Sequence, residues 1–143
     1  MNLYAESSAV LAWLLGQPGS EAARTALAQS ELVVASDLTL LECDRVLIRG
    51  QTVGEITETA AADRRAVLNA AATSWHLLRI GGEIIDRARR PFPAEPIRTL
   101  DALHLASALS ARAAVPGLAV LSMDERIRKS AMNLGLQVIP AGL

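Results

Sequence analysis

The sequence predicts an α/β protein with three layers, α/β/α, in which a central, mainly parallel sheet of four to five short strands lies between helices. Short apolar segments alternate with helical segments along the chain, as in parallel strands joined by helical crossovers. Residues 32–35 and 118–121 are apolar without interruption, which is typical of strands covered on both faces. The length of 143 residues predicts a single domain over residues 1–143.

Each element follows from its local pattern. Strands are predicted from short apolar runs, and helices from apolar residues at helical spacing between polar start and stop signals. In chain order we predict a strand over 2–5, helices over 7–15 and 20–28, a strand over 32–35, helices over 36–49 and 54–74, a strand over 75–80, helices over 83–90 and 100–114, a strand over 118–121, a helix to about 134, and a strand over 137–139.

The predicted helix ends depend on capping and breaking residues. We expect Ser20, Ser36 and Thr99 to begin helices, and Ser122 with Glu125 to form a capping box for the last one. Glycine and proline mark the ends, because glycine adopts left-handed backbone easily and proline interrupts helical hydrogen bonding. These breaks lie at 16–19, Gly50, Pro91, Pro93, 116–117 and Gly135.

Composition excludes several classes of protein. The net charge of −1 and pI of about 6.1 give no overall basic field for nucleic acid. The single cysteine, Cys43, excludes an intrachain disulfide and a cysteine-rich zinc site. Glu6 stands where a signal peptide would be basic, and the apolar run 9–15 is too short to span a bilayer. We therefore expect a cytoplasmic protein without a membrane partner.

Four acidic residues stand out by their positions. Glu6 follows the first strand, and Asp124 follows the strand over 118–121. Asp101 lies in the first turn of a helix, and Glu42 lies in the helix after the second strand. Ligand sites of parallel sheets lie at the carboxyl ends of the strands. If the four carboxylates meet there, their repulsion favours a divalent cation, and Mg²⁺ or Mn²⁺ prefers such oxygen ligands.

Each acid also has a structural interpretation. Asp101 and Asp124 could simply stabilise helix dipoles, Glu42 could lie on a solvated face, and Glu6 could be an ordinary loop residue. Taken singly, these interpretations are preferable. Taken together at strand and helix junctions, the acids favour a metal site.

Four segments of the chain resemble the motifs of PIN domains, and within them the VapC-type toxin ribonucleases of toxin–antitoxin pairs. The segments are Tyr4–Leu11, Ser36–Cys43, Arg98–Ala106, and Leu121–Arg126 with 134–138. They contribute Glu6, Glu42, Asp101 and Asp124 in the order and spacing of the family. Glu6 stands where the family usually has Asp, so the resemblance leaves open whether this site binds metal more weakly.

The resemblance implies a PIN-like fold and a metal-dependent endoribonuclease that is the toxin of a type II toxin–antitoxin system. The catalytic acids would be Glu6, Glu42, Asp101 and Asp124, with Mg²⁺ or Mn²⁺ held by Glu6, Asp101 and Asp124. It also implies a homodimer, a cognate antitoxin and an RNA substrate.

Supporting residues are predicted around these acids. Ser8 and Ser122 would hold the ligating carboxylates by hydrogen bonds, although helix capping explains them equally well. Five basic residues could contact the RNA backbone or could lie on ordinary solvated helix faces: Arg45, Arg49, Arg126, Arg128 and Lys129. His104 is better interpreted as a packing or capping residue than as a ligand.

Two other functions remain open. Glu6 motivates a catalytically weak PIN-like domain that serves as an RNA- or protein-binding regulatory module. A phosphoryl-receiving signalling domain also groups acids at strand ends, but it needs a suitably placed lysine. Lys129 is late in the chain and helical, so this third hypothesis ranks low.

Overall fold

A computed structural model describes residues 1–142, which form a five-stranded sheet with every neighbouring pair of strands parallel. The strands are β1 (Asn2–Ala5), β2 (Leu32–Ser36), β3 (His76–Leu78), β4 (Ala119–Leu121) and β5 (Gln137–Ile139). The helices are α1 (Ser7–Leu15), α2 (Ser20–Gln29), α3 (Asp37–Thr52), α4 (Glu58–Ala72), α5 (Gly82–Ala88), α6 (Thr99–Ala114) and α7 (Glu125–Asn133). The predicted three-layer α/β/α fold is confirmed.

Helices cover the sheet on both faces because side chains alternate along its strands. Tyr4 and Val120 point into one apolar cluster, which α6 and α7 complete. Leu3 and Leu121 point into another cluster, which residues of α1 to α4 complete. Both faces of these strands therefore pack into a hydrophobic core. For this reason their sequences do not alternate between apolar and polar residues.

The strand order is β3-β2-β1-β4-β5, so β1 lies at the centre. The chain first builds outward from β1 to β2 and β3, and then returns to β4 on the other side of β1. The carboxyl ends of β1 and β4 therefore flank the point where the direction of winding changes, which is where open α/β sheets bind ligands. Glu6 and Ser122 are the residues that directly follow these two strands.

Several predicted helix ends are wrong, for local reasons. Gly19, with a φ of 91°, precedes α2 in place of Ser20, and Arg98 precedes α6 in place of Thr99. The capping box at Ser122 and Glu125 is also wrong, because Asp124 caps α7. The prediction that Ser36 begins a helix is confirmed, since Ser36 precedes α3 and forms a capping box with Thr39.

Gly50 does not end the third predicted helix, and α3 continues to Thr52. Gly50 is buried, and a Cβ there would come within 2.8 Å of the Ile56 side chain. The glycine therefore permits close packing where the sequence suggested a stop signal. Within residues 1–142, no helix combines the length and apolar character needed to cross a bilayer.

Candidate active site

Glu6 is a buried carboxylate at the carboxyl end of β1. It caps α1 by accepting a hydrogen bond from the Ser8 backbone N–H at 2.9 Å. The same carboxylate accepts the Ser8 hydroxyl at 2.6 Å and the Ser122 hydroxyl at 2.5 Å. Only 5% of Glu6 is exposed, so these donors replace the water that the charge would otherwise bind. The two predicted supporting serines therefore both contact Glu6.

Ser8 and Ser122 also connect Glu6 to the loop that carries Asp124. The Ser122 hydroxyl accepts the Asp124 N–H at 3.1 Å, and the Ser8 hydroxyl accepts the Met123 N–H at 2.8 Å. The Asp124 carboxylate accepts the Arg126 N–H at 2.8 Å and so begins α7. Each serine accepts a backbone N–H while it donates to the Glu6 carboxylate, but neither caps a helix, because Glu6 caps α1 and Asp124 caps α7.

Glu42 is half-buried on α3 and faces residues from two other helices. The Ser7 hydroxyl donates to its Oε1 at 2.6 Å, and His104 Nε2 lies 2.5 Å from the same oxygen. Burial by itself raises the pKa of Glu42, but hydrogen bonds from His104 and Ser7, together with the charge of His104, lower it below its ordinary value. Glu42 is therefore held as an acceptor at neutral pH.

His104 is buried, as expected of a packing residue, but it also makes polar contacts that the sequence does not predict. Only 2% of it is exposed, yet its Nδ1 lies 2.9 Å from the Tyr4 hydroxyl, and its Nε2 contacts Glu42. The Tyr4 hydroxyl in turn lies 3.0 Å from the Ser36 hydroxyl. Nothing in the sequence around Tyr4 indicates its contact with His104. The only available signal was a histidine on a strongly apolar helix, one turn after Asp101.

Asp101 lies in the first turn of α6 and pairs with Arg98 at 3.1 Å. It borders a groove of about 540 Å³ that Arg126 and Lys129 also line. Asp101 therefore borders an open surface with basic residues, whereas Glu6 is enclosed.

The donor chemistry of these residues fits a hard divalent cation. Glu6 is buried without a basic side chain in ion-pair distance among residues 1–142, so its negative charge has no protein counter-ion. Carboxylate and hydroxyl oxygens are the ligands that Mg²⁺ and Mn²⁺ prefer. As the side chains stand, however, no three Asp, Glu, His or Cys residues in this part of the chain are close enough together to hold a metal ion.

The five predicted RNA-contact residues separate into three groups. Arg126 and Lys129 are exposed in the groove beside Asp101. Arg45 and Arg49 are exposed on α3 and line a different surface depression.

The prediction that Arg128 could contact RNA is wrong. It is 6% exposed, and its guanidinium donates to Ser122 O at 2.9 Å and to Pro140 O at 2.6 Å. Arg128 therefore holds the segment after β4 to the segment after β5 and is not available to bind RNA.

A sequence model of the PIN domain matches residues 3–132. The chain belongs to the PIN domain family. Its sequence is also 33% identical to Ribonuclease VapC46 of Mycobacterium tuberculosis over 138 residues, which cover 96% of this chain and 95% of that protein.

Solved structures support the PIN fold. VapC20 of M. tuberculosis, a toxin that cleaves the sarcin–ricin loop, aligns with a TM-score of 0.66 at 15% identity over 90% of this chain and 94% of its own. A toxin–antitoxin complex from Klebsiella pneumoniae aligns at 0.62 and 17% identity, over 96% of both chains. VapBC2 of Rickettsia felis, bound to a promoter DNA fragment, aligns at 0.63 and 8% identity, over 96% of this chain and 97% of its own.

Proposed function

We propose that the chain is a metal-dependent endoribonuclease, built as one PIN domain over residues 1–143, and the toxin of a type II toxin–antitoxin pair. The observation that carries this proposal is the 33% identity to Ribonuclease VapC46 over 96% of the chain. The acids at the carboxyl edge of the sheet supply a chemistry that agrees with it. Phosphodiester hydrolysis needs an activated water and neutralisation of charge on the phosphate, and acidic metal sites provide both.

In this proposal Glu6, Asp101 and Asp124 hold Mg²⁺ or Mn²⁺. Such an ion, when bound, makes water acidic enough to act as a nucleophile and neutralises developing negative charge. Ser8 and Ser122 keep the Glu6 carboxylate in place through the hydrogen bonds at 2.6 and 2.5 Å. Glu42 accepts a hydrogen bond from the attacking water and orients it.

The RNA backbone passes along the groove beside Asp101. Arg126 and Lys129 supply positive charge there, and Arg98 lines the same groove. Phosphate contacts of this kind position a nucleic acid without reading its sequence. Arg45 and Arg49 supply a second basic surface on α3, in a separate depression.

A cognate antitoxin and a second copy of the chain are the proposed protein partners, in the cytoplasm. Two similar structures are named as toxin–antitoxin assemblies. Large apolar side chains are exposed on α3, including Leu41 at 57% and Ile48 at 40%. Contiguous exposed apolar residues of this kind favour a protein–protein contact.

The nuclease proposal is tested with purified, antitoxin-free protein and total RNA, with Mg²⁺, Mn²⁺ or EDTA. We expect cleavage with either metal and none with EDTA or with Asp101→Asn. Asp63→Asn is the matched control, since Asp63 is exposed on α4. Intact tRNA, rRNA and mRNA in every metal-containing reaction with the wild type would refute the proposal.

A second candidate function is a catalytically weak regulatory module that binds RNA or protein. It is favoured by Glu6 in place of the usual Asp, and by the separation of the carboxylates in residues 1–142. Calorimetry with Mn²⁺ separates the two candidates. Binding by the wild type that is lost in Asp101→Asn favours the nuclease, whereas binding that requires Glu6→Asp favours the module.

A further inference from the structure

A chain of hydrogen bonds runs through the core to Glu42. It starts at Ser36, passes through the Tyr4 hydroxyl at 3.0 Å and then reaches His104 Nδ1 at 2.9 Å. The other ring nitrogen of His104 contacts Glu42 Oε1 at 2.5 Å. These residues come from β2, β1, α6 and α3, so the chain connects two strands and two helices.

The acceptor at the end of the chain determines its direction. An ionised carboxylate can only accept hydrogen bonds, so His104 Nε2 must carry a proton to bond Glu42. A ring protonated on Nε2 alone has a lone pair on Nδ1, to which the Tyr4 hydroxyl can donate. The Tyr4 hydroxyl lies 2.9 Å from Nδ1 and is then the donor to it. Ser36 then donates to Tyr4, and every bond points toward Glu42.

Packing alone does not account for this arrangement. Tyr4 is fully buried and His104 is 2% exposed, in a region where apolar side chains would fill the space without polar atoms to satisfy. Replacing buried polar networks by apolar residues of similar volume is often neutral or stabilising. The network ends at Glu42, which lies on α3 and contacts Ser7 of α1 and His104 of α6. The network therefore orients the carboxylate of Glu42, which is partly exposed.

We propose that His104, fixed in turn by Tyr4, is a positioning residue that holds the Glu42 carboxylate toward the carboxyl edge of the sheet. This inference rests on the proposed nuclease function, in which Glu42 orients water. His104 itself does not touch RNA. Loss of His104 leaves Ser7 as the remaining donor to Glu42, so the carboxylate is held less firmly and the chemical step slows while RNA binding is unchanged.

The first test measures kcat and KM for RNA cleavage by three variants. His104→Leu removes the donor and lowers kcat by about 10- to 100-fold with little change in KM. His104→Gln places an amide N–H near the position of Nε2 and recovers most of the lost kcat. Tyr4→Phe preserves the ring and lowers kcat by about two- to tenfold, since it removes one buried hydrogen bond from His104.

Leu105→Val is the matched control for damage to α6. Leu105 adjoins His104, is 1% exposed and belongs to the apolar cluster. We expect this variant to lower Tm without lowering kcat. Equal kcat losses in Leu105→Val and Tyr4→Phe, or no recovery in His104→Gln, would show that the effect is general destabilisation and would overturn the inference.

The second test determines by ¹⁵N NMR which ring nitrogens of His104 are protonated in the wild type. A protonated Nε2 supports the inference, and an unprotonated Nε2 overturns it, because that nitrogen could not donate to Glu42. The test does not require a folded variant. Failure of the proposed function would be recognised separately, as a wild type that leaves RNA uncut, whereas failure of this inference leaves an active wild type and an unimpaired His104→Leu.

Discussion

The two sides of the acidic edge are built in different ways. We define the Glu6 arm as Glu6, Ser8, Ser122 and Asp124, and the Glu42 arm as Glu42, Ser7, His104, Tyr4 and Ser36. In the Glu6 arm every partner lies within three residues of the end of β1 or β4, so the pairing of these two strands alone brings the residues together, even across 116 positions. In the Glu42 arm the contacts join residues of two strands and three helices.

The difference between the two arms shows which kind of site can be inferred from sequence motifs. The Glu6 arm follows from strand ends, because the parallel pairing of β1 with β4 places the residues after both strands at one edge of the sheet. The Glu42 arm exists only when β1, β2, α1, α3 and α6 have packed together. Its residues are ordinary in their local context, so their shared role appears only in the folded chain.

Glu6→Gln should have the largest effect. It retains the size of the side chain and removes the buried charge, so we expect cleavage to fall by about 100-fold or more. Initial rates on a labelled RNA measure this effect. Glu31→Gln is the control, because Glu31 is exposed before β2 at the opposite edge of the sheet. Full activity of Glu6→Gln would exclude the Glu6 carboxylate from the chemistry.

Arg128→Met should give the largest loss of stability. Its guanidinium donates to two backbone carbonyls, one of them Ser122 O, so we expect a loss of about 2–3 kcal/mol in unfolding free energy. Urea unfolding measures it. Arg126→Met on the same helix should change stability by less than about 0.5 kcal/mol but weaken RNA binding and its salt dependence. Reversed roles for the two arginines would contradict the structure.

Ser122→Ala should lower cleavage by about tenfold, because the Glu6 carboxylate loses its shortest hydroxyl contact. Ser7→Ala makes the matching change in the Glu42 arm, and we expect a smaller fall there since His104 still donates to Glu42. Ser110→Ala on α6 serves as the control. Equal losses in Ser7→Ala and Ser122→Ala would remove the proposed difference between the arms.

The smallest predicted effect is on acid stability. The pKa of Glu42 is lowered in the folded protein, so its contribution is complete above the unfolded-state pKa of about 4.3 and is lost as the pH falls through the lower, folded value. Unfolding free energies of the wild type and Glu42→Gln should therefore converge in acid. Glu55→Gln, at an exposed position, should show no such convergence. Parallel curves for the wild type and Glu42→Gln would contradict this assignment.

The sequence predicted the order of strands and helices and the positions of Glu6 and Asp124 at strand ends. These features depend on apolar runs and on residues a few positions apart. It misjudged the start of α7, where Ser122 and Asp124 are both good caps and only the folded loop selects Asp124. The helix stop predicted at Gly50 is also wrong. Glycine is favoured both where a helix ends and where two segments pack closely, and Gly50 packs closely against Ile56.

The sequence by itself determined the alternation that makes an α/β sheet, because strand and helix periodicity is encoded locally. It also determined that Glu6 and Asp124 lie near the switch between β1 and β4, because a residue that follows a strand of a parallel sheet lies at the carboxyl edge of that sheet. Only the tertiary structure decided that His104 meets Glu42 across 62 residues and that Arg128 turns inward to Pro140. Such partners depend on strand order and helix packing, which bring together side chains whose neighbours in the chain give no indication of the contact.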